Sequence, residues 1–525
     1  MATAIKNPVF LFASVGILFL SFFRLGHYSL WDDEANTALI AQGVARTGDT
    51  SALIGDNIVA FRNGSELSGL KARYVSPLQY YLAAPFVHNA TDAFSARFPF
   101  ALCGVIALIL LLFRISTFEK NSSHIFFWTL AILGNVSLFL YLRQCRYYAP
   151  VILFSILSAD AYFFWKPGIR RAFFLGIFLA FTFCSNYLNG VALIGVLGIE
   201  MGLHSSKRLK ISEIGFLLIP LVLISVPVFL IWNPLFKDVV NLGGTVFNWS
   251  DKWTLFLWNW RDLNRAELIN LPILFFSILA VFRKSMFPIF RTFLALFVYI
   301  SIISLLSPQP VQYTNVADIR YLVPVTFFSI FILCQFFGII FSKNKWVAVF
   351  LSLVVFFTNF SNSAFGYLFP IQSTSLLRIN EIFSSPRDPY TVTVEFLKSL
   401  DKKPKSIVVI PGYMTYPLMY HFPETHYYWQ MNANRKIDFP SLADWNFYGS
   451  QVPDSILAFG PVQNQQYLNI QDTAEAIGGL YQKKLVLNIF WHDTYRPELF
   501  WRSFREISIN NPDIDGILFL ENEKK

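Results

Sequence analysis

Three consecutive carboxylates, Asp32, Asp33 and Glu34, follow the first apolar stretch of the chain, in the segment SLWDDEANTALIAQG. Carboxylates can accept a proton in general base catalysis, bind a hard divalent cation, or stabilise a helix N-terminus. The recurring Ala, Leu and Ile beyond them predict a helix with Asp32 or Asp33 as its N-cap. The acids alone leave a catalytic, a metal-binding and a structural interpretation open.

Arginines form a second group with possible chemistry. Arg143 and Arg146, in YLRQCRYYAP, are three residues apart and would share one face of a helix. A cation near bilayer depth needs a partner, and the fixed, forked donors of guanidinium suit a phosphate group. Interfacial anchoring, or structural pairing with the acids, is the alternative. Arg320, in ADIRYLVPV, is a third such cation, and alone it predicts only an interfacial anchor.

The composition indicates what must position these residues. The chain has 525 residues, of which 54% are hydrophobic, 18% aromatic and only 14% charged, with a mean hydropathy of +0.47. This profile predicts an integral, multi-pass membrane protein. About eleven segments are apolar and long enough to cross or nearly cross a bilayer: 8–29, 97–113, 124–141, 146–165, 171–185, 187–203, 213–233, 268–282, 287–306, 321–341 and 346–362.

The net charge of +9 is a topology signal and does not indicate a nucleic-acid partner. With a cytoplasmic N-terminus, the inner loops hold a clear excess of Lys and Arg over acids, as cytoplasmic loops do. An odd number of spans then places the C-terminus on the other side. Three larger segments share that extracytoplasmic face, namely 30–96, 234–267 and the region after 362. The acids and arginines therefore lie on the outer side of the membrane.

The first outer loop has features that a simple surface connection does not need. Beyond the helix that starts at the acids, ARYVSPLQYYLAAPF predicts a second, aromatic-rich helix opened by Pro77, and SARFPFAL returns the chain to the bilayer through Arg97. We expect two interfacial helices, one with acids and the other with tyrosines. The C-terminal region, 363–525, predicts an extracytoplasmic α/β domain, since SIVVI, KLVLNIFW and GILFLEN have the pattern of buried strands.

Five short motifs occur in one order on the predicted outer face: WDDEANTALIAQ, SPLQYYL, SARFPFAL, RQCRYYA and RYLVP. Together they resemble the polyprenyl-phosphate-sugar-dependent membrane glycosyltransferases of the GT-C fold, which include the protein O-mannosyltransferases and the lipid A aminoarabinose transferase. The resemblance covers residues 8–341. It implies a GT-C catalytic domain at 1–362, followed by the α/β domain.

The resemblance also implies roles for individual residues. Asp33 would be the general base for an acceptor hydroxyl, and Glu34 would position that base or the acceptor. Arg143, Arg146 and Arg320 would bind the donor phosphate. Further substrate contacts are expected from Asp32, Tyr74, Gln79, Tyr80, Tyr147, Asn186 and Tyr321, and Asn186 has the alternative role of a helix cap.

The implied activity is inverting transfer of a sugar from a polyprenyl-phosphate donor to a hydroxyl of a surface glycolipid, polysaccharide or protein. The expected location is a bacterial inner or plasma membrane, with the site facing outward. No cofactor is assigned, and Mg²⁺ or Mn²⁺ could bind the acids. Arg73 and Tyr74 replace a Glu of the lipid A branch, which favours a different sugar or acceptor. The alternative function is a carrier or flippase for a lipid-linked saccharide, for which intramembrane charges and a half-repeat would be expected.

Overall fold

The structure is a computed structural model, and it describes residues 7–60, 67–118, 122–203, 209–233, 248–267, 287–309, 319–357, 388–410, 412–429, 453–461, 481–491 and 513–522, with a few isolated positions between. Most described residues are helical, and strands are concentrated near the C-terminus. The predicted span at 268–282 lies largely outside the described residues, so the number eleven stays a prediction.

The apolar segments form helices close to the predicted bounds. They are α1 Pro8–Phe22, α4 Ala93–Phe118, α5 Ser122–Gly134, α6 Val136–Leu142, α7 Tyr148–Phe164, α8 Ile169–Ser185, α9 Tyr187–Leu203, α10 Ile211–Ile231, α12 Phe287–Leu306, α13 Thr326–Lys343 and α14 Lys345–Phe357. Three stretches, Ala93–Thr117, Ile211–Ile231 and Arg320–Lys343, are long and apolar enough to cross a membrane, and six shorter apolar helices accompany them. These helices are those of a multi-pass membrane protein.

Two predicted spans are interrupted. The segment 124–141 is divided at Asn135, whose Oδ1 accepts a hydrogen bond of 2.8 Å from the N–H of Leu138 and so caps α6. The chain between α6 and α7 is then a turn, so Arg143 and Arg146 do not share a helix face as the spacing predicted. A 3₁₀ segment at Ile319–Val325 precedes α13 and carries Arg320.

The first outer loop contains both predicted helices, α2 at Asp32–Thr47 and α3 at Leu78–Val87. The N-cap of α2 is Trp31, so the prediction of Asp32 or Asp33 at that position is wrong by one or two residues. Gly48 ends α2 in the left-handed conformation, with a φ of 75°. The returning chain forms a short hairpin, β1 Leu53–Ile54 with β2 Asn57–Ile58. A further helix, α11 at Trp249–Glu267, lies in the second outer loop.

The C-terminal region contains the predicted strands together with two helices. Helix α15, Pro389–Ser399, is followed by β3 Ser406–Ile410, α16 Thr415–His421, β4 His426–Trp429, β5 Ser455–Pro461, β6 Tyr481–Trp491 and β7 Asp513–Asn522. The strand order is β4-β3-β5-β7-β6, with β3 parallel to β4 and β5, and β7 antiparallel to β5 and β6. A mixed sheet of this kind confirms the expected α/β composition.

This sheet is tied to the first outer loop through Asn57. The Asn57 amide accepts a hydrogen bond of 2.8 Å from the N–H of Tyr427 and donates to the carbonyls of Thr425, at 2.9 Å, and Pro423, at 3.3 Å. Helix α16 packs against α2. Because Asn57 is 2% exposed, these bonds replace water contacts that are lost on burial. The C-terminal region is therefore packed directly on the loop that carries the acids.

Candidate active site

Asp33 is the point where two distant cations converge. The Nη1 of Arg320 donates to Oδ2 of Asp33 at 2.7 Å, and the Nη2 of Arg146 lies 3.4 Å from the same oxygen. Arg146 also donates through Nη1 to the Asp33 carbonyl, at 3.3 Å, and to Oγ1 of Thr37, at 3.2 Å. The three charged side chains keep 15–29% of their surface exposed. The result is a partly accessible cationic pair with one carboxylate at its centre.

The two aspartates of this site ionise differently. Burial opposes ionisation of Asp33, but the positive charges of Arg146 and Arg320 outweigh it and lower the pKa of this carboxyl. Burial and the neighbouring charge of Asp33 raise the pKa of Asp32 well above its usual range, although the same arginines oppose the rise. Asp33 is thus the carboxylate held ionised, and Asp32 is the one for which the proton is favoured.

Glu34 faces the other way, into the protein. Its carboxylate is fully buried and forms two bonds with Arg97, of 2.5 Å from Nη2 to Oε2 and 2.9 Å from Nε to Oε1. Oε1 also accepts the N–H of Cys145 at 2.9 Å. Arg97 in turn donates to the carbonyls of Leu25, Tyr28 and Ser29. Glu34 therefore joins α2 to α4 and to the turn that carries Arg146.

The remaining predicted phosphate ligand, Arg143, lies apart from this cluster. Its Nη2 donates to the carbonyl of Phe23 at 3.0 Å, near the end of α1. Tyr147 and Tyr321 are closer to the cluster, with nearly parallel rings whose centroids are 6.4 Å apart. The guanidinium carbon of Arg146 is 5.6 Å from the centre of the Tyr147 ring. Aromatic side chains thus flank both cations that contact Asp33.

The predicted substrate contacts of α3 are buried. Gln79 is 0% and Tyr80 1% exposed, and Tyr74 packs partly buried against the same core. Burial raises the pKa of Tyr80 to about 12, and the charges of Arg146 and Asp33 act on it as well. Tyr80 therefore lies within electrostatic reach of the cluster.

Asn186 has the geometry of a helix cap. Its Oδ1 accepts hydrogen bonds from the N–H of Asn189, at 3.1 Å, and from Nδ2 of the same residue, at 2.9 Å. The hydroxyl of Tyr299 donates to Oδ1 of Asn189. The amide of Asn186 is thus engaged in a polar network at the start of α9, as the alternative role predicted.

No three residues among His, Cys, Asp and Glu converge on a common point within the described ranges. Glu34 is separated from the aspartates by its contacts with Arg97, so the three consecutive acids do not form a joint ligand set. Two carboxylates beside two guanidinium groups offer a divalent cation little net negative charge. The described residues thus fit an anion better than a metal ion.

A cavity of about 630 Å³ lies among the helices below the 3₁₀ segment. Apolar side chains such as Trp128, Phe163, Phe327 and Phe331 line most of it, and Pro324 belongs to its wall. Pro324 is four residues from Arg320, which corresponds to about 8 Å along a 3₁₀ helix. Two ion pairs, Arg114 with Asp160 and Arg291 with Glu200, border the cavity elsewhere. An apolar chamber therefore begins close to the cationic pair.

Sequence reasoning did not assign a site role to Arg97 or Thr37. The signal for Thr37 was its spacing of four from Asp33, which places both on one helix face; its hydroxyl donates to the Asp33 carbonyl at 3.0 Å. Arg97 carried no local signal beyond an arginine at the start of a span, because its partner Glu34 is 63 residues away in the chain.

No protein-family model matches the sequence, and no curated protein matches it. Among solved structures, the chain is similar to ArnT from Cupriavidus metallidurans, crystallised bound to undecaprenyl phosphate. The two are 12% identical, the match covers 97% of each chain, and the TM-score is 0.52. ArnT is a GT-C lipid A aminoarabinose transferase. The chain therefore has the fold of a GT-C membrane glycosyltransferase, which confirms the resemblance inferred from the motifs.

Proposed function

We propose that this protein is an inverting glycosyltransferase that moves a sugar from a polyprenyl-phosphate donor to an acceptor hydroxyl on the extracytoplasmic face of a membrane. The observation that carries the proposal is the convergence of Arg146 and Arg320 on Asp33 at the first outer loop of a GT-C fold. ArnT, with the same fold, was crystallised with undecaprenyl phosphate, a donor-type lipid. The acceptor is a surface glycolipid, polysaccharide or protein.

Arg146 and Arg320 bind the donor phosphate in this proposal. Cleavage of the anomeric C–O bond leaves its electron pair on the phosphate and develops positive charge on the sugar. Fixed cations beside the phosphate then stabilise the transition state more than the bound donor. Arg143 is proposed as an outer contact for the same group, although its Nη2 already donates to the Phe23 carbonyl, apart from the two arginines at Asp33.

Asp33 is proposed as the base that accepts the proton of the acceptor hydroxyl as the new C–O bond forms. Its low pKa keeps it ionised at neutral pH, and the donor phosphate would compete with it for the two arginines, which frees the carboxylate. A weak base suffices when the proton leaves late, and such a positioned group contributes about 100- to 10,000-fold. Glu34 is proposed to act by position, because its bond to the Cys145 N–H holds the turn that carries Arg146.

The substrate contacts are proposed on the same surface. Tyr147, Tyr321 and Asp32 are proposed to contact the substrate beside the cationic pair. Gln79 and Tyr80 are buried and Asn186 caps α9, so these residues and Tyr74 are proposed to support the site from within the protein. The polyprenyl tail is proposed to extend into the apolar cavity that starts near Pro324. The phosphate would stay at the polar end of this cavity, beside the two arginines, because burial of its charge among apolar side chains is costly.

The test is transfer of radiolabelled sugar from a panel of polyprenyl-phosphate donors to extracted membrane lipids and proteins, with purified full-length protein. We expect turnover with one donor and a loss of about 100-fold or more in Asp33→Asn. Asp56→Asn is the matched control, because Asp56 is an exposed acid in the same outer loop, at the hairpin turn. Donor binding and thermal unfolding are measured on every variant.

Two outcomes contradict the proposal. If Asp33→Asn transfers sugar as fast as Asp56→Asn, the carboxylate is a structural partner of the arginines and not a base. If no donor is turned over while the protein binds lipid-linked saccharide, a carrier function replaces the transferase.

A further inference from the structure

A second cationic cluster lies at the opposite end of α2. Asp49, just beyond the helix, forms ion pairs with Lys71, at 2.8 Å from Nζ, and with Arg73, at 2.6 Å from Nη2. Both cations meet the same oxygen, Oδ2, while Oδ1 accepts the N–H of Thr50 at 2.7 Å. Two cations on one carboxylate leave one net positive charge, and 45% of the Lys71 side chain is exposed.

Trp232 holds this cluster in place. The guanidinium carbon of Arg73 lies 4.4 Å from the centre of the indole, a cation–π contact. The indole N–H donates to Oγ1 of Thr50 at 3.3 Å, and the Trp232 carbonyl accepts the hydroxyl of Tyr187 at 2.5 Å. Nη1 of Arg73 is buried without a hydrogen-bond partner in the described part of the chain. The arginine is thus fixed as a flat group, with Nη2 on Asp49, Nη1 buried and 18% of the side chain exposed.

The position of Trp232 defines the depth of the cluster. Trp232 directly follows α10, the span Ile211–Ile231, and the last residues of that helix, Leu230 and Ile231, are 70% and 50% exposed. Such a helix end faces lipid, and a tryptophan at this point lies at headgroup level. The cation–π contact with Trp232 therefore puts Arg73, and Lys71 with it, at the level expected for lipid headgroups.

We propose that Lys71, Arg73 and Trp232 form a binding site for the phosphate of an anionic lipid headgroup in the outer leaflet. The cations supply charge and directed donors, and the lipid-exposed end of α10 supplies the contact for the acyl chains. Fifteen residues of α2 separate Gly48 from Asp33, or about 22 Å along the helix. The site is therefore distinct from the cluster at Asp33, and its occupation does not depend on the proposed transfer reaction.

Lipid binding to the purified full-length protein tests this site. Bound phosphatidylglycerol and phosphatidylcholine are counted by native mass spectrometry for wild type, Lys71→Gln and Arg73→Gln. We expect a preference for phosphatidylglycerol that weakens about fivefold in Lys71→Gln, which corresponds to the loss of one cation at headgroup depth. Phosphatidylcholine binding should not change. Lys402→Gln, which removes an exposed lysine of the C-terminal region, is the matched control.

Lys71→Gln is the informative variant because the Lys71 side chain is exposed, so its replacement should leave the fold of the loop intact. Unchanged phosphatidylglycerol binding in Lys71→Gln overturns the proposal. An equal loss in Lys402→Gln assigns the effect to net charge and also overturns it. Competition by glycerol 3-phosphate at the concentration of the lipid would assign the site to soluble phosphate compounds instead of lipid.

Discussion

Asp33 and Glu34 are adjacent in the sequence, yet they belong to two different environments. The Asp33 carboxylate is 29% exposed and shares two arginines that approach from distant segments, whereas the Glu34 carboxylate is fully buried and held by Arg97. Neighbouring residues of a helix point in directions about 100° apart, so one turn can face both the site and the core. The comparison indicates that the arginines at Asp33 are accessible to a ligand, whereas the pair of Glu34 and Arg97 stabilises the fold.

The largest expected effect is on stability, and it comes from the buried pair. Glu34→Ala or Arg97→Met leaves one buried charge without its partner, which costs about 3–5 kcal/mol. We expect a strongly lowered midpoint of thermal unfolding in detergent for either variant. Replacing Arg320, which is 20% exposed, should leave that midpoint nearly unchanged. Equal midpoints for the Arg97 and Arg320 variants would remove the distinction between the two pairs.

The second effect is on activity. Arg320→Gln should reduce kcat by about 100- to 1,000-fold, as loss of one charge-stabilising donor does, while the fold is retained. Arg320→Lys should recover part of that loss, because the charge remains and the forked geometry does not. Steady-state transfer with a fixed polyprenyl-phosphate donor measures both. A variant that changes only KM would show that Arg320 binds the donor without acting on the transition state.

The third effect concerns the C-terminal region, whose helix α16 packs against α2. Asn57→Ala removes the acceptor for the Tyr427 N–H and the donors to the carbonyls of Thr425, which is buried, and Pro423, which is half-buried, at a cost of about 1–3 kcal/mol. We expect faster proteolysis within the C-terminal region and a lower unfolding midpoint. Asp56→Asn, at the exposed neighbouring position, serves as the control. Identical protease patterns would show that Asn57 does not determine the attachment of the sheet.

The smallest effect is a pH dependence at a second contact of the C-terminal region, between His421 and the Thr91 carbonyl. Burial, together with the charges of Lys398 and Arg97, lowers the pKa of His421 from 6.5 to about 4, against the opposing bond to the Thr91 carbonyl. The unfolded chain binds the proton first, so this contribution is complete above pH 6.5 and is lost as the pH falls toward 4. Because His421 is partly exposed, we expect a loss of roughly 1–2 kcal/mol. The unfolding midpoint should therefore fall between pH 6.5 and 4 in the wild type, and it should depend less on pH in His421→Gln.

Several features of this protein follow from local sequence. The helices opened near Asp32 and Pro77, the strand SIVVI and most of the described apolar helices were predicted, since hydrophobic periodicity acts over short distances. The segment 124–141 was not, because Asn135 divides it. The order of five short motifs was enough to indicate a GT-C fold, although no family model and no curated protein matches the sequence. Asn186 also behaves as its local position suggested, as the cap of a helix.

Other features depended on residues far apart in the chain. The turn at 143–147 separates Arg143 from Arg146, and only the folded chain brings Arg320 to Asp33 across 287 positions and Arg97 to Glu34 across 63. Local pattern cannot state which of two adjacent acids faces the core, because that choice is made by packing against α4 and α16. The sequence by itself determined the class of protein and which charged side chains it offers. The tertiary structure decided which charge meets which, because the free energy of an ion pair depends on separation and burial and not on position in the chain.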